Sequence, residues 1–153
     1  MRILSEGIET RVASSQLGEC TGMAGRKVLP DLKFDQVRIE EYDSIVIIGG
    51  SGSFELRKSE SLLNLISQVN KVSKLIGAIC LAPTVLSKAG VLEGKEATVW
   101  KGTVEGRNTI DIIQEEGAKF VDLPIVTYEN VITAQGPEYS VDFARKLVEE
   151  MCR

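Results

Sequence analysis

Histidine is absent from the 153 residues. That removes the commonest metal ligand and the commonest general base together, so zinc chemistry and any Cys-His or Ser-His dyad within the chain are excluded. Cysteine is scarce as well. Cys20, Cys80 and Cys152 are odd in number and widely spaced, with no CxxC pair, which argues against a disulfide framework. The longest apolar runs, such as "SIVIIGG", are far too short to span a bilayer, and "MRILSEGIET" lacks the long apolar stretch of a signal peptide. The net charge of −4 is mild, and Lys and Arg are scattered rather than clustered. These features point away from nucleic acid and membrane partners and toward a cytoplasmic protein.

What is present reads as one domain over residues 1–153, long enough for one sizeable core and free of linkers, repeats and low-complexity tracts. "RILSE" reads as a last helical turn stopped by Gly7, "IETRVAS" as a short strand, and "CTGMAGRKVLPDLKFDQV" as a turn-rich stretch with strand-like pieces. Ile45 to Ile48 form a β-branched run of the kind found in a strand buried on both faces of a parallel sheet. In "SESLLNLISQVNKVS", Leu62, Leu65, Ile66 and Val69 share one helical face. "KLIGAI" and "EATVW" then read as strands, and "APTVLSKAG" as a helix begun by Pro83 and ended by Gly90. "NTIDIIQEEG" predicts another helix, and "KFVDLPIVTYENVITAQG" two short strands around a turn at Tyr128, Glu129 and Asn130. The closing helix, "SVDFARKLVEEMC", is expected to bury Val141, Ala144, Leu147, Val148 and Met151. Strands alternating with helices predict an α/β fold whose ligand site lies beyond the carboxyl ends of the strands.

Two loops fall there. "GGSGS", Gly49 to Ser53, lacks the third glycine of a dinucleotide fingerprint and the Lys of a P-loop, so alone it reads as a tight turn. Its backbone N–H groups would nevertheless suit an oxyanion. The second loop holds Cys80, with Ala78 and Ala82 two residues away on either side. Small residues there are what a strained strand-to-helix turn requires, and Pro83 would start a helix directly behind the sulfur. A helix N-terminus favours a thiolate, so the thiol pKa is expected to fall; a small buried hydrophobe is the alternative reading of Cys80. Ser51, Ser53 and Thr84 read as turn and first-turn residues, Glu55 as an early helical charge, and Gln135 as a polar group near a strand end. Trp100 reads either as a pocket wall or as a core aromatic, and an apolar wall would raise the thiol pKa.

"YDSIVIIGG", "KLIGAICLAPTVLSKAGVLEGKEATVW" and "YENVITAQGPEYSVDFARKLVEEM" together resemble the ThiJ/PfpI superfamily, also called the DJ-one family, from about Leu4 to the end. The resemblance implies a flavodoxin-like, doubly wound, mostly parallel sheet with helices on both faces, usually a homodimer, and a reactive cysteine on the elbow. It also implies cysteine peptidase, cofactor-independent glyoxalase, deglycase, chaperone or oxidative-stress activity. In the glyoxalase and deglycase chemistry a thiolate attacks an aldehyde, on a small molecule or a modified protein, to give a hemithioacetal. By position Cys80 would be the nucleophile, with the backbone N–H groups of Gly50 and Leu81 holding the oxyanion. No metal and no cofactor is implied.

The chain departs from that family in three places. Leu81 stands where peptidase-like members carry a histidine, and Trp100 or Lys101 where many others supply one. The family's first strand, part of its first helix and a glutamate facing the cysteine find no counterpart, so an N-terminal truncation is expected. That strand would lie between "TRVAS" and "SIVII", and its loss would leave unpaired backbone at a cost of about 1 to 3 kcal/mol per buried group. A natural start upstream, a fragment, or a strand borrowed from a partner would each account for it. A rival reading takes "MRIL" as the first strand with Glu6 or Glu9 as the glutamate, at the expense of the family spacing. The expected function is a Cys80-dependent glyoxalase or deglycase, slowed because general acid–base help is worth about 10²- to 10⁴-fold. The alternatives are a redox-sensing or stress-related protein without turnover, a silent member kept for binding, and an intracellular cysteine peptidase, which would lack both base and acid for its leaving amine.

Overall fold

The computed structural model describes residues 7–22 and 24–153. The expected helical turn over "RILSE" and Glu6 therefore lie outside the described residues. Four short strands open the chain: β1 (Ala13–Ser14), β2 (Cys20–Thr21), β3 (Lys27–Val28) and β4 (Leu32–Lys33). β2 and β3 form an antiparallel hairpin, whereas β1 and β4 pair in parallel. The expected strand over "IETRVAS" is thus reduced to two residues. Val12 turns its backbone to Asp31 instead, its N–H donating to the Asp31 carboxylate at 2.7 Å and its carbonyl accepting from the Asp31 and Leu32 N–H groups.

The main sheet follows: β5 (Ser44–Ile47), helix α1 (Glu60–Lys71), β6 (Leu75–Ile79) and helix α2 (Pro83–Lys88). After these come β7 (Glu96–Ala97), the hairpin of β8 (Thr103–Val104) and β9 (Arg107–Asn108), helix α3 (Thr109–Glu115) and β10 (Lys119–Phe120). β11 (Ile125–Tyr128), β12 (Val131–Ala134) and helix α4 (Ser140–Met151) close the chain. The four-stranded sheet runs β11-β12-β6-β5, and only β11 is antiparallel. β6 is central, with Ile79 opposite Ala134 of β12 and Ala78 opposite Ile47 of β5.

Helices cover both faces. Ser59 caps α1 by accepting the Leu62 N–H, and α1 turns Leu62, Leu65, Ile66 and Val69 into a core shared with Ile76, Leu86 and Ile113. On the other face α4 packs Phe143, Ala144 and Leu147 against Ile79 and Ile132. Val141, expected in that core, is 43% exposed, and Val148 and Met151 are only half-buried. The buried stripe centres on Phe143 because Gly77 of β6 leaves room for its ring and for Leu147, both within about 3 Å of where a Cβ would stand.

"EATVW" also forms less strand than expected. Thr98 gives its N–H to the Thr133 hydroxyl at 2.9 Å and Trp100 gives its own to the Cys80 carbonyl at 3.0 Å, so the chain leaves the β7 ladder after Ala97 to reach the elbow. Ile48, expected inside the sheet, is 55% exposed. It stands one residue past the end of β5. Among the described residues no strand pairs with the outer edge of β5, and a cleft of about 140 Å³ lies between it and β1 and β4.

Candidate active site

Cys80 occupies the single step between the end of β6 and the first turn of α2, at φ +66°. A non-glycine residue in that region costs about 1–2 kcal/mol and persists only where neighbours over-determine it. They do so here. The Cys80 N–H donates to the Ala134 carbonyl at 2.9 Å, its carbonyl accepts from Trp100, and the Ala82 N–H returns to the Ile79 carbonyl at 3.2 Å. Thr84 adds its hydroxyl to the Leu81 carbonyl at 2.7 Å. This is the strained elbow expected from the small residues around the cysteine.

The glycine loop lies against it. A Cβ on Gly49 would stand 2.5 Å from the Ile79 carbonyl oxygen and 2.6 Å from Cys80 Cβ, so only glycine lets the two loops touch. Gly50, at φ +120°, then turns its N–H toward the sulfur. The backbone N–H groups of Leu81 and Gly50 both act on the Cys80 sulfur to favour its thiolate. Its pKa is nevertheless raised, not lowered as expected. Burial is the largest influence, the two N–H groups offset part of it, and the negative charge of Glu138 adds to the rise. Helix α2 is six residues long, too short a dipole to reverse that balance.

A half-buried clamp ties the segment after the glycine loop to the helix after the elbow. Arg57, at the end of the 3₁₀ segment Ser51–Lys58, donates to the Thr84 carbonyl of α2 and makes a two-pronged pair with Glu116 at 2.7 and 3.1 Å. Ser87 of α2 donates to the same carboxylate at 2.6 Å. The Arg57 guanidinium also lies 5.1 Å above the Phe54 ring. Burial pushes the Glu116 carboxyl up, but Arg57 and Ser87 outweigh it and hold the carboxyl below its ordinary range.

Other singled-out residues take quieter places. Ser53 donates to the Gly50 carbonyl at 2.7 Å, and Glu55 pairs with Lys58 at the surface. Gln135 is buried and donates to Asp122, which also binds Lys101. Trp100 is 37% exposed beside the elbow, its ring packed over Gly102. Cys20 bonds with Ser14 and the Gly18 carbonyl, and Cys152 is exposed on the final turn. Glu9 is an exposed partner of Arg11. Sequence reasoning passed over Glu138, in the 3₁₀ turn Pro137–Tyr139 just past β12, although the rule that ligands bind beyond strand ends includes that turn. Among the described residues no group of three His, Cys, Asp or Glu side chains is placed to hold a metal ion. No described helix is long and apolar enough to cross a membrane.

The chain is 33% identical to a deglycase from Thermococcus kodakarensis, an alignment that covers 97% of this chain and 86% of the relative. It is 32% identical to a glutathione-independent glyoxalase from Caenorhabditis elegans, over 95% of this chain and 74% of that one. The crystal structure of DJ-1beta from Drosophila melanogaster superposes with a TM-score of 0.84 at 30% identity, covering 97% of this chain and 78% of that chain. The sequence profile of the DJ-1/PfpI family matches residues 1–150. With an elbow cysteine on a parallel sheet flanked by helices, the chain belongs to the DJ-1/PfpI family.

Proposed function

We propose that this chain, read as one domain over residues 1–153, is a Cys80-dependent glyoxalase or deglycase acting on small dicarbonyls or on their adducts with protein. One observation carries the reading: a cysteine held at positive φ on the elbow, with two converging backbone N–H groups at its sulfur. The deglycase and glyoxalase names of its relatives support it. In the reaction the Cys80 sulfur adds to an aldehyde carbon, the C–S bond forms, and the carbonyl π pair moves onto oxygen. The Leu81 and Gly50 N–H groups, released from the sulfur as its charge is spent, stabilise that oxyanion. Peptide hydrolysis is disfavoured, since the leaving amine would need a proton donor where Leu81 and Trp100 stand. A homodimer in the cytoplasm is the matching assembly and location.

The test is methylglyoxal consumption by the purified chain beside Cys80→Ala, with the intact mass recorded on the same samples. The reading expects consumption that disappears in the variant. Equal rates in the two proteins would overturn it.

A further inference from the structure

We propose that Arg57 is a positioning residue of the elbow, holding the glycine loop and the first turn of α2 at the spacing that sets the Gly50 and Leu81 N–H groups on the Cys80 sulfur; this rests on the reading of Cys80 as the nucleophile. The need for such a tie follows from where the sheet stops. The β5–β6 ladder ends with Ile47 opposite Ala78, two residues short of Gly49 and of Cys80. Beyond it, among the described residues, no backbone hydrogen bond crosses from Gly49 or Gly50 to Cys80 or Leu81. Gly49 meets the elbow by contact alone: a Cβ there would stand 2.6 Å from Cys80 Cβ and 3.1 Å from the Leu81 nitrogen. Contact fixes how near the two loops come, but not the angle at which an N–H points, on which a hydrogen bond depends.

Each donor residue is pinned through its own carbonyl. Ser53 gives the Gly50 carbonyl its hydroxyl at 2.7 Å and its N–H at 3.0 Å. Thr84 gives the Leu81 carbonyl the same pair, at 2.7 and 3.1 Å. Each turn is therefore firm by itself, and the placement of one against the other falls to Arg57. It stands near the end of the 3₁₀ segment that contains Ser53, and its Nη1 donates to the Thr84 carbonyl. Among the described residues this is the only hydrogen bond from that segment to α2. The same guanidinium takes both Glu116 oxygens and lies over Phe54. Three acceptor atoms and an aromatic face together call for a planar fork, whereas the compact ammonium of a lysine would reach only part of that set.

Loosening the clamp frees the segment and α2 to pivot about the Gly49 contact. The N–H pair then converges less well where charge gathers, first on the sulfur and later on the oxygen of the bound aldehyde. Since these N–H groups favour the thiolate against burial, their retreat raises the thiol further. One displacement should thus slow alkylation at neutral pH and turnover together. An ion pair that only stabilises the fold would change neither.

The experiment follows Cys80 alkylation by iodoacetamide from pH 6 to 10, by peptide mass, together with methylglyoxal turnover at pH 7. It compares the full chain with Arg57→Lys, with Arg57→Met/Glu116→Gln, which removes the cation without stranding its carboxylate, and with Lys95→Met, all below the onset of melting. Lys95 is the control for stability: it pairs with Glu129 at 3.0 Å at the opposite end of the sheet, ahead of β7 and β12. In the double variant the alkylation midpoint is expected to rise by about half to one pH unit, slowing the reaction at pH 7 by about three- to tenfold. Its kcat should fall by about 10- to 100-fold with KM within about twofold. Arg57→Lys, which keeps the charge, should fall between the parent and the double variant, and Lys95→Met should match the parent in both readouts at a lower melting temperature. A midpoint in the double variant and in Arg57→Lys within about 0.2 pH units of the parent overturns the proposal. An equal shift in Lys95→Met also overturns it, by making the change a general effect of lost stability. A parent that is alkylated at Cys80 but consumes no methylglyoxal overturns the dicarbonyl reading instead, and the alkylation midpoints then decide on Arg57 by themselves.

Discussion

Burial outweighs two N–H hydrogen bonds at the Cys80 sulfur, so the resting site holds a thiol rather than a thiolate at neutral pH. The proton must leave as substrate arrives, and reactivity should climb with pH instead of levelling off early. The rate of Cys80 alkylation by iodoacetamide, followed from pH 6 to 10 by peptide mass, is expected to reach half-maximum above the value for a free cysteine peptide. A midpoint below that value would show the N–H groups prevailing over burial. Gly49 makes a second prediction at this scale. Gly49→Ala would push a methyl into the Ile79 carbonyl and Cys80 Cβ, and overpacking of this kind costs about 1–3 kcal/mol. A lower melting temperature should accompany lost turnover, because the loop must shift the Gly50 N–H away from the sulfur.

The Arg57–Glu116 pair acts between elements, joining the 3₁₀ segment that follows Gly50 to the end of α3, while the Thr84 carbonyl and the Ser87 hydroxyl tie both partners to α2. Arg57→Met would leave a half-buried carboxylate without its cation and the Thr84 carbonyl without its donor, at a cost of about 1–3 kcal/mol after allowance for partial exposure. Because the folded-state pKa of Glu116 is depressed, its contribution is present above the unfolded carboxyl value and is lost as pH falls through the folded one. The urea midpoint of the parent should exceed that of Glu116→Gln at pH 7, and the gap should close as pH drops below about 4.5. None of this was legible in the sequence, since the partners are separated by 59 residues and each reads as an ordinary surface charge. The elements themselves were more legible. α1 announces itself through Ser59 and its four apolar positions, α2 through Pro83, and β6 through its apolar run, all local signals. β7 and the α4 stripe were misjudged because Thr133, Cys80 and Gly77, distant in sequence, decide where they end or turn.

Across the whole molecule the sheet is uneven. β6 is hydrogen-bonded on both sides, whereas among the described residues the outer edge of β5 has no partner strand and faces a cleft lined by Ala13, Leu32, Phe34, Ile45, Leu62 and Val69. An apolar cleft beside a row of backbone donors and acceptors is the least stable arrangement for a strand in the middle of a fold, because those groups must rely on water while their side chains avoid it. Local opening should therefore begin at β5 and leave the elbow, anchored on β6 and β12, intact. Hydrogen exchange followed by mass spectrometry is expected to label peptides over Ser44–Ile48 at least about tenfold faster than those over Leu75–Ile79. Equal protection of the two would mean that the cleft is filled in solution by a strand that pairs with β5. Faster exchange at β5 with unchanged protection at Ala78 and Ile79 would instead show that the elbow needs only the β5, β6 and β12 core to hold Cys80 at positive φ.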